Sequence, residues 1–332
     1  MSHPDTHESS AQSPQSPHAE PLSLTAISDQ LADAVELAAL AVVAVHAREK
    51  MASTGVHWRD GLIVTTSATV RRDQNITITI PDGRRVAATL VGRDAASDLA
   101  VLRVATGVSF AAATIGDPTT LRPGHLAMAV ARLDDSGPRV SFGAISTIGG
   151  AWRTWKGGEY SRRIQSGFAL YPGFGGSPLV DAAGRVHGIN SGGLSQQLAT
   201  TIPADTVERV VSQLVATGYV PRGWLGAALQ AVRVGESAKV AAQGREGGLL
   251  IIGVADGGPA ATSGLLVGDI VLALDGAAVH EPNDVLNVLQ HMAPGRAVSF
   301  DLLRGGVFVR VIVTIGERPS GHDDRQSRRG AR

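Results

Sequence analysis

From residue 37 to residue 192 the chain alternates short apolar stretches with turn signals. In residues 75–80, NITITI, isoleucine alternates with polar residues at a period of two, the pattern of a strand with one buried face. Pro81, Asp82 and Gly83 supply a turn into the second apolar stretch, residues 85–92, so the segment predicts a hairpin. Further apolar strands are predicted over 99–104, 126–133 and 140–148, punctuated by IGDP at 115–118 and DDSGP at 134–138. Many short strands with few helices argue for barrels or sandwiches. A helix follows, because Val207, Val210, Val211, Leu214 and Val215 share one face. Asp205 and Glu208 have capping-box spacing, and Gly218 marks a stop. The longest apolar run, 37–47, is about half the roughly 20 residues that cross a bilayer. It follows Asp33 and Glu36, so no membrane anchor is expected.

Composition narrows the classes. Thirty Lys plus Arg balance thirty Asp plus Glu, which gives the chain no general field for nucleic acid or anionic lipid. There is no cysteine, so disulfides and thiolate metal sites are excluded, and neither metal nor cofactor is expected. Residues 1–22, rich in Ser, Pro, Gln and His, lack the apolar surface to fold alone and read as a disordered tail. They also lack the basic start and apolar stretch of an export signal, which predicts a cytoplasmic protein.

Three segments carry candidate chemistry. Residues 60–70 read DGLIVTTSATV, residues 91–104 read VGRDAASDLAVLRV, and residues 173–179 read GFGGSPL. Together they resemble the base, aspartate and nucleophile segments of HtrA/DegP-type, chymotrypsin-like serine proteases. The resemblance runs from about residue 37 to about residue 318. It implies two six-stranded β-barrels, the first ending near residue 110 and the second near 203, with a catalytic cleft between them. It sets Ala68 at the histidine position, Asp98 at the aspartate and Gly175 at the serine, so Asp98 is the one triad member present. The backbone N–H groups of Gly173 and Gly175 fall where that family builds its oxyanion hole. The resemblance also implies that Thr66, Ser67 and Thr69, with their N–H groups, satisfy Asp98.

Other residues offer no obvious replacement. Ser177 lies two positions beyond Gly175, and near-attack geometry tolerates a misplacement of only about 1 Å. His57 and His187 are isolated histidines on strands, a setting that favours surface or core roles. The family commonly trimerises through aromatic residues near the start of the protease domain, but no Phe, Trp or Tyr precedes Trp58. The segment WRTWKGGEY, 152–160, falls in the family's regulatory loop region and reads as a contact surface or a packed loop.

From about residue 222 onward the chain is similar to a bacterial PDZ domain. GGPAATSGLLVGDIVLALDGAAV, 257–279, carries the signature. RGWLGA, 222–227, resembles the loop whose N–H groups capture a peptide's terminal carboxylate while the peptide adds a strand to the sheet edge. Trp224, Leu225, Gly226 and Ala227 would form that loop, and Val285 and Leu289 on a helix from Pro282 would face the ligand. The expected organisation is a tail over 1–22, a protease-fold unit over 23–218, an α+β PDZ unit over 219–318 and a basic tail over 319–332. The expected fold class is mainly β.

The expected function is binding of peptides, protein C-termini or unfolded segments by a catalytically inactive HtrA-like protein. An active relative is a candidate partner for mixed assembly, and the oligomeric state stays open. The alternative is a serine-type endopeptidase of protein quality control with a non-standard nucleophile.

Overall fold

The computed structural model describes residues 23–317 except 155, 156, 195–198, 222, 291 and 293. The two expected tails and Trp155 lie outside the described residues. The order of elements is α1 Leu24–Ala39, β1 Val42–His46, β2 Ser53–Arg59, β3 Leu62–Thr66, β4 Ile76–Thr79, β5 Arg85–Asp94 and β6 Leu99–Val104. There follow β7 Leu126–Ala131, β8 Arg139–Gly149, β9 Trp152–Arg153, β10 Glu159–Tyr160, β11 Arg163–Ser166, β12 Pro178–Asp181, β13 Val186–Ser191, β14 Ala199–Pro203 and α2 Ala204–Thr217. The last unit contains β15 Gly223–Trp224, β16 Ala227–Arg233, β17 Gly247–Val254, α3 Pro259–Thr262, β18 Ile270–Leu274, β19 Ala277–Ala278, α4 Pro282–Gln290, β20 Ala297–Arg304, β21 Val307–Thr314 and β22 Gly316–Glu317.

Strands β1 to β6 close a barrel in the order β1-β2-β3-β6-β5-β4, and a second barrel closes as β11-β14-β13-β12-β7-β8. The two expected six-stranded barrels are present. Side-chain alternation explains why so many strands are apolar on both faces. In β3 and β6, Ile63, Ala100 and Leu102 fill the first barrel, while Leu62, Val64, Leu99 and Val101 face outward. The outward set packs against Met128, Val130, Val180, Val186 and Ile189 of the second barrel. A strand buried on both sides has no polar face to display. The predicted hairpin is β4–β5, with Ile76 opposite Ala88 and Gly83 at φ 87° in its turn.

Helix α2 covers the seam between the barrels with Val207, Val210, Val211 and Leu214, and Gly218 ends it in the left-handed conformation, φ 81°. The capping box does not form. Glu208 instead accepts from Trp58 Nε1 at 2.9 Å and from Arg59 Nη2 at 2.7 Å, fastening α2 to β2. Two partners on β2 outcompete the helix's own first turn.

Helix α1 is a second departure, since residues 24–39 carried no helix prediction. It starts at Ser23, whose hydroxyl accepts from the N–H of Ala26 at 3.0 Å, and it buries only Ala34, Ala38 and Ala39. The apolar run over 37–47 is divided between the end of this helix and β1.

The last unit is a sheet in the order β16-β17-β18-β20-β21, with β19 on β18 and α4 packed against its core. Strand β16 is an edge and pairs only with β17. The β9–β10 hairpin is a packed loop: Trp152 and Tyr160 stack at 4.6 Å, and Arg163 lies over the indole at 5.1 Å. Arg153 of the hairpin donates to Asn287 on α4.

Candidate functional site

The three segments singled out by sequence meet between the barrels. A short turn, Ser67–Thr69, follows β3; the turn before β6 holds Asp98; and the loop before β12 holds Gly173, Gly175 and Gly176. This loop is fastened to the first barrel through Thr54 of β2. The Thr54 N–H donates to the Gly175 carbonyl at 3.2 Å, and its hydroxyl donates to the Gly173 carbonyl at 3.0 Å. Gly176 fits only as glycine, because φ is +91° and a Cβ would lie 2.0 Å from the Thr54 carbonyl oxygen.

Both carbonyls are thus committed, but the amides are not. The N–H groups of Gly173 and Gly175 donate to no protein acceptor among the described residues. At Gly175 a Cβ would be 3.2 Å from Thr69 Cγ2 and 3.3 Å from Thr66 Oγ1, and φ is not in the left-handed region. A serine there therefore needs only a small shift of the two threonines.

Asp98 is 7 % exposed and adopts φ 53°, a strained region for a residue with a side chain. Its Oδ1 accepts from the Ala68 N–H at 2.8 Å, and its Oδ2 accepts from the Ser191 hydroxyl at 2.6 Å. The Asp98 carbonyl accepts from the Ser67 N–H at 3.1 Å. The threonines named from the sequence do not serve it. Thr66 and Thr69 bond each other at 3.1 Å, and the Thr69 hydroxyl donates to the Thr66 carbonyl at 2.8 Å. Ser191 was missed because it lies on β13, far along the chain, and no local motif ties it to Asp98. Buried carboxylates require donors, and here neutral ones supply them.

Ala68 is exposed and presents a methyl group at the position where the sequence resemblance expects an imidazole. The other candidates are occupied elsewhere. Ser177 is fully buried, and its Oγ accepts from Asn190 Nδ2 at 3.2 Å. His57 Nε2 accepts from the Gly61 N–H at 3.1 Å, its Nδ1 donates to the Ala111 carbonyl at 3.0 Å, and the ring packs on Phe110. His187 uses both nitrogens, on the Asp181 carboxylate at 2.9 Å and the Asp117 carbonyl at 3.1 Å. Among the described residues no group of His, Asp and Glu is arranged to hold a metal, and no helix is long and apolar enough to cross a membrane.

The second candidate site is the turn before β16. Leu225 and Gly226 have their carbonyls tied down by the N–H groups of Ala260 and Ala255, each at 2.8 Å. Their own N–H groups donate to no acceptor among the described residues. Gly226 has φ +73°, and a Cβ there would press on the Trp224 ring at 3.2 Å. Trp224 closes β15, and Ala227 opens β16 beside the free sheet edge. Val285 and Leu289 lie on the core face of α4, 2 % and 3 % exposed, while Leu229 and Val288 are the partly exposed apolar residues beside them.

Comparison with known proteins agrees with this architecture. A family described as "Trypsin-like peptidase domain" matches residues 53–189, and one described as "PDZ domain" matches 225–315. A Brucella suis protein described as "Probable periplasmic serine endoprotease DegP-like" is 33 % identical over 268 residues, covering 79 % of this chain and 51 % of that protein. A Halomonas elongata protein of the same description is 34 % identical, with 82 % and 57 % covered. The chain therefore spans a little over half the length of these curated relatives. The expectation of a cytoplasmic protein is overturned, since both relatives are described as periplasmic. Composition of the first residues was a poor guide to compartment.

Among solved structures, "HtrA-type protease AlgW with decapeptide" superposes with a TM-score of 0.69 at 30 % identity, covering 87 % of this chain and 99 % of that one. The serine endoprotease from Yersinia pestis gives a TM-score of 0.69 at 27 % identity, covering 90 % of this chain. Two closed barrels, the three expected segments meeting between them and a solved relative matched over nearly its whole length lead to one assignment: the chain belongs to the HtrA/DegP-type family of trypsin-like serine proteases with a C-terminal PDZ domain.

Proposed function

We propose that this chain is a non-catalytic member of its family that binds polypeptides through its PDZ loop and its cleft. The observation that carries the reading is Gly175, a residue without a side chain, in a loop whose backbone is still held in place by Thr54. In the serine-protease triad a hydroxyl attacks, an imidazole carries the proton and a carboxylate orients the imidazole. Here the first two roles have no atoms, and the assistance left after losing such a group is only about 10³ to 10⁴ over water. Main-chain donors need neither side chain, so binding survives where attack does not.

The ligands are exposed C-termini or unfolded segments, met outside the cytoplasm as the relatives' descriptions suggest, and an active relative is a partner for mixed assembly. We take residues 23–218 and 219–318 as the two working units. The relatives' names favour the alternative of a working endopeptidase. Against it, Ser177 is buried, and both histidines nearest in sequence to the site segments are engaged through both ring nitrogens.

Calorimetry with decapeptides ending in a free carboxylate tests the proposal. Amidating the terminus, or Gly226→Ala in the protein, should weaken binding about tenfold or more. A library in which no free-carboxylate peptide binds would contradict it.

A further inference from the structure

Four cations converge beside the Ala68 turn. Arg48, Lys50, Arg71 and Arg72 line a surface cavity of about 360 Å³, with Glu49 as the one acid in its lining. Two loops build it and are fastened together, since the N–H groups of Arg71 and Arg72 both donate to the Ala47 carbonyl, at 2.9 and 3.1 Å. Arg48 is set by its Nε on the Met51 carbonyl at 2.6 Å and its Nη2 on the Ala52 carbonyl at 3.0 Å. Arg71 is set by its Nε on the Ala68 carbonyl at 3.1 Å. Such bonds orient a guanidinium without neutralising it.

Several cations elsewhere are paired with acids, such as Arg59 with Glu208, Arg84 with Asp82, Arg139 with Asp134 and Arg185 with Asp181. None of the four cavity cations has a carboxylate within ion-pair distance among the described residues. Asp73, next to Arg72, is engaged by Arg93 at 3.4 Å. Burial, and after it the charge of Arg71, pushes the Arg48 pKa below its ordinary value. Like charges held this way by the backbone oppose one another, and a bound anion relieves them. The chain's net charge is zero, so the cluster is a local device rather than general basicity.

The geometry points to a subsite for acidic polypeptide, in which carboxylates of an extended segment lying in the cleft at Ala68 are received by Arg48, Lys50, Arg71 and Arg72. This deepens the proposed function and rests on it. A peptide is the ligand that fits, because the cluster is joined to the cleft directly through the Arg71–Ala68 bond. A nucleic acid calls for a longer basic track or an aromatic stacking platform, and no aromatic residue lines the cavity.

Fluorescence anisotropy on the full chain tests the subsite with two labelled, extended peptides. One carries several Asp residues and the other Asn at the same positions, and both are blocked at each end so that the PDZ loop receives no carboxylate. The Asp peptide should bind about tenfold tighter than its Asn counterpart at low salt. That advantage should fade as salt rises toward about 0.5 M. The exposed double variant Arg71→Ala, Arg72→Ala should erase the difference and leave the affinity for the Asn peptide unchanged. Equal binding of the two peptides to the wild-type protein overturns the subsite and leaves the cleft reading intact. An Asp preference that persists in the double variant also overturns it. Failure of both peptides to bind overturns the cleft reading and the subsite together. Tighter binding of tripolyphosphate or of an oligothymidylate of about ten nucleotides than of the Asp peptide overturns the peptide assignment.

Discussion

The loop around Gly175 and the loop around Gly226 are built on one plan. Each ties its carbonyls to neighbouring structure and leaves two consecutive or near-consecutive N–H groups without an acceptor among the described residues. They differ in what the reaction or recognition demands beyond those amides. At Leu225 and Gly226 the proposed function requires nothing further, because a terminal carboxylate can be received by main chain. At Gly173 and Gly175 hydrolysis would require a hydroxyl and a base, and on the proposed reading Gly175 and Ala68 offer only a hydrogen atom and a methyl group in their place. On the proposed reading, main-chain recognition is secured by the whole fold, whereas side-chain chemistry rests on single positions and would be removed by changing two of them.

Four substitutions probe this contrast. The largest effect belongs to Gly176→Ala, which combines a left-handed φ with a Cβ 2.0 Å from the Thr54 carbonyl oxygen. It should cost about 3 kcal/mol or more, read from denaturant unfolding. Next is Ser191→Ala, which strips the donor from Asp98 Oδ2 in a buried site and should cost about 2 kcal/mol. Little change there would mean that the carboxylate is not held as described. Gly226→Ala should cost only about 1 kcal/mol, because its Cβ meets the Trp224 ring rather than backbone, yet it should weaken peptide binding strongly. Equal destabilisation by Gly176→Ala and Gly226→Ala would break the comparison.

The last is a control placed away from both loops, with the smallest expected effect on peptide binding. Burial alone would raise the Asp181 pKa, but bonds from His187, the Arg185 and Ala183 N–H groups and the Arg185 guanidinium hold it well below the usual carboxylate range. A depressed folded pKa contributes stability above the unfolded value of 3.8, and that stability is lost as the pH falls further. Asp181→Asn should therefore lower the unfolding midpoint at neutral pH and flatten its decline below roughly pH 4. Peptide binding should not change. A midpoint that falls as steeply in the variant as in the wild type would assign acid sensitivity elsewhere.

Much of this was legible because the relevant signals are local. The isoleucine alternation gave β4 and the Pro-Asp-Gly turn, and the valine face gave α2. Helix α1 escaped notice because its buried face is alanine, which carries little hydrophobic contrast against Asp29, Asp33 and Glu36. The capping-box reading of Glu208 failed through a tertiary contact with Trp58. At the proposed site, Ala68, Asp98 and Gly175 sit within contiguous motifs, whereas Ser191 and Thr54 act on residues far away in sequence. No pattern along the chain encodes a hydrogen bond between barrels.

The proposed absence of an attacking group is tested most directly by incubating the purified protein with a fluorophosphonate and weighing it intact. The account predicts an unchanged mass for the wild type and, for the Ala68→His, Gly175→Ser double variant, a single adduct on the new serine. A covalent adduct on any serine of the wild-type chain would contradict it.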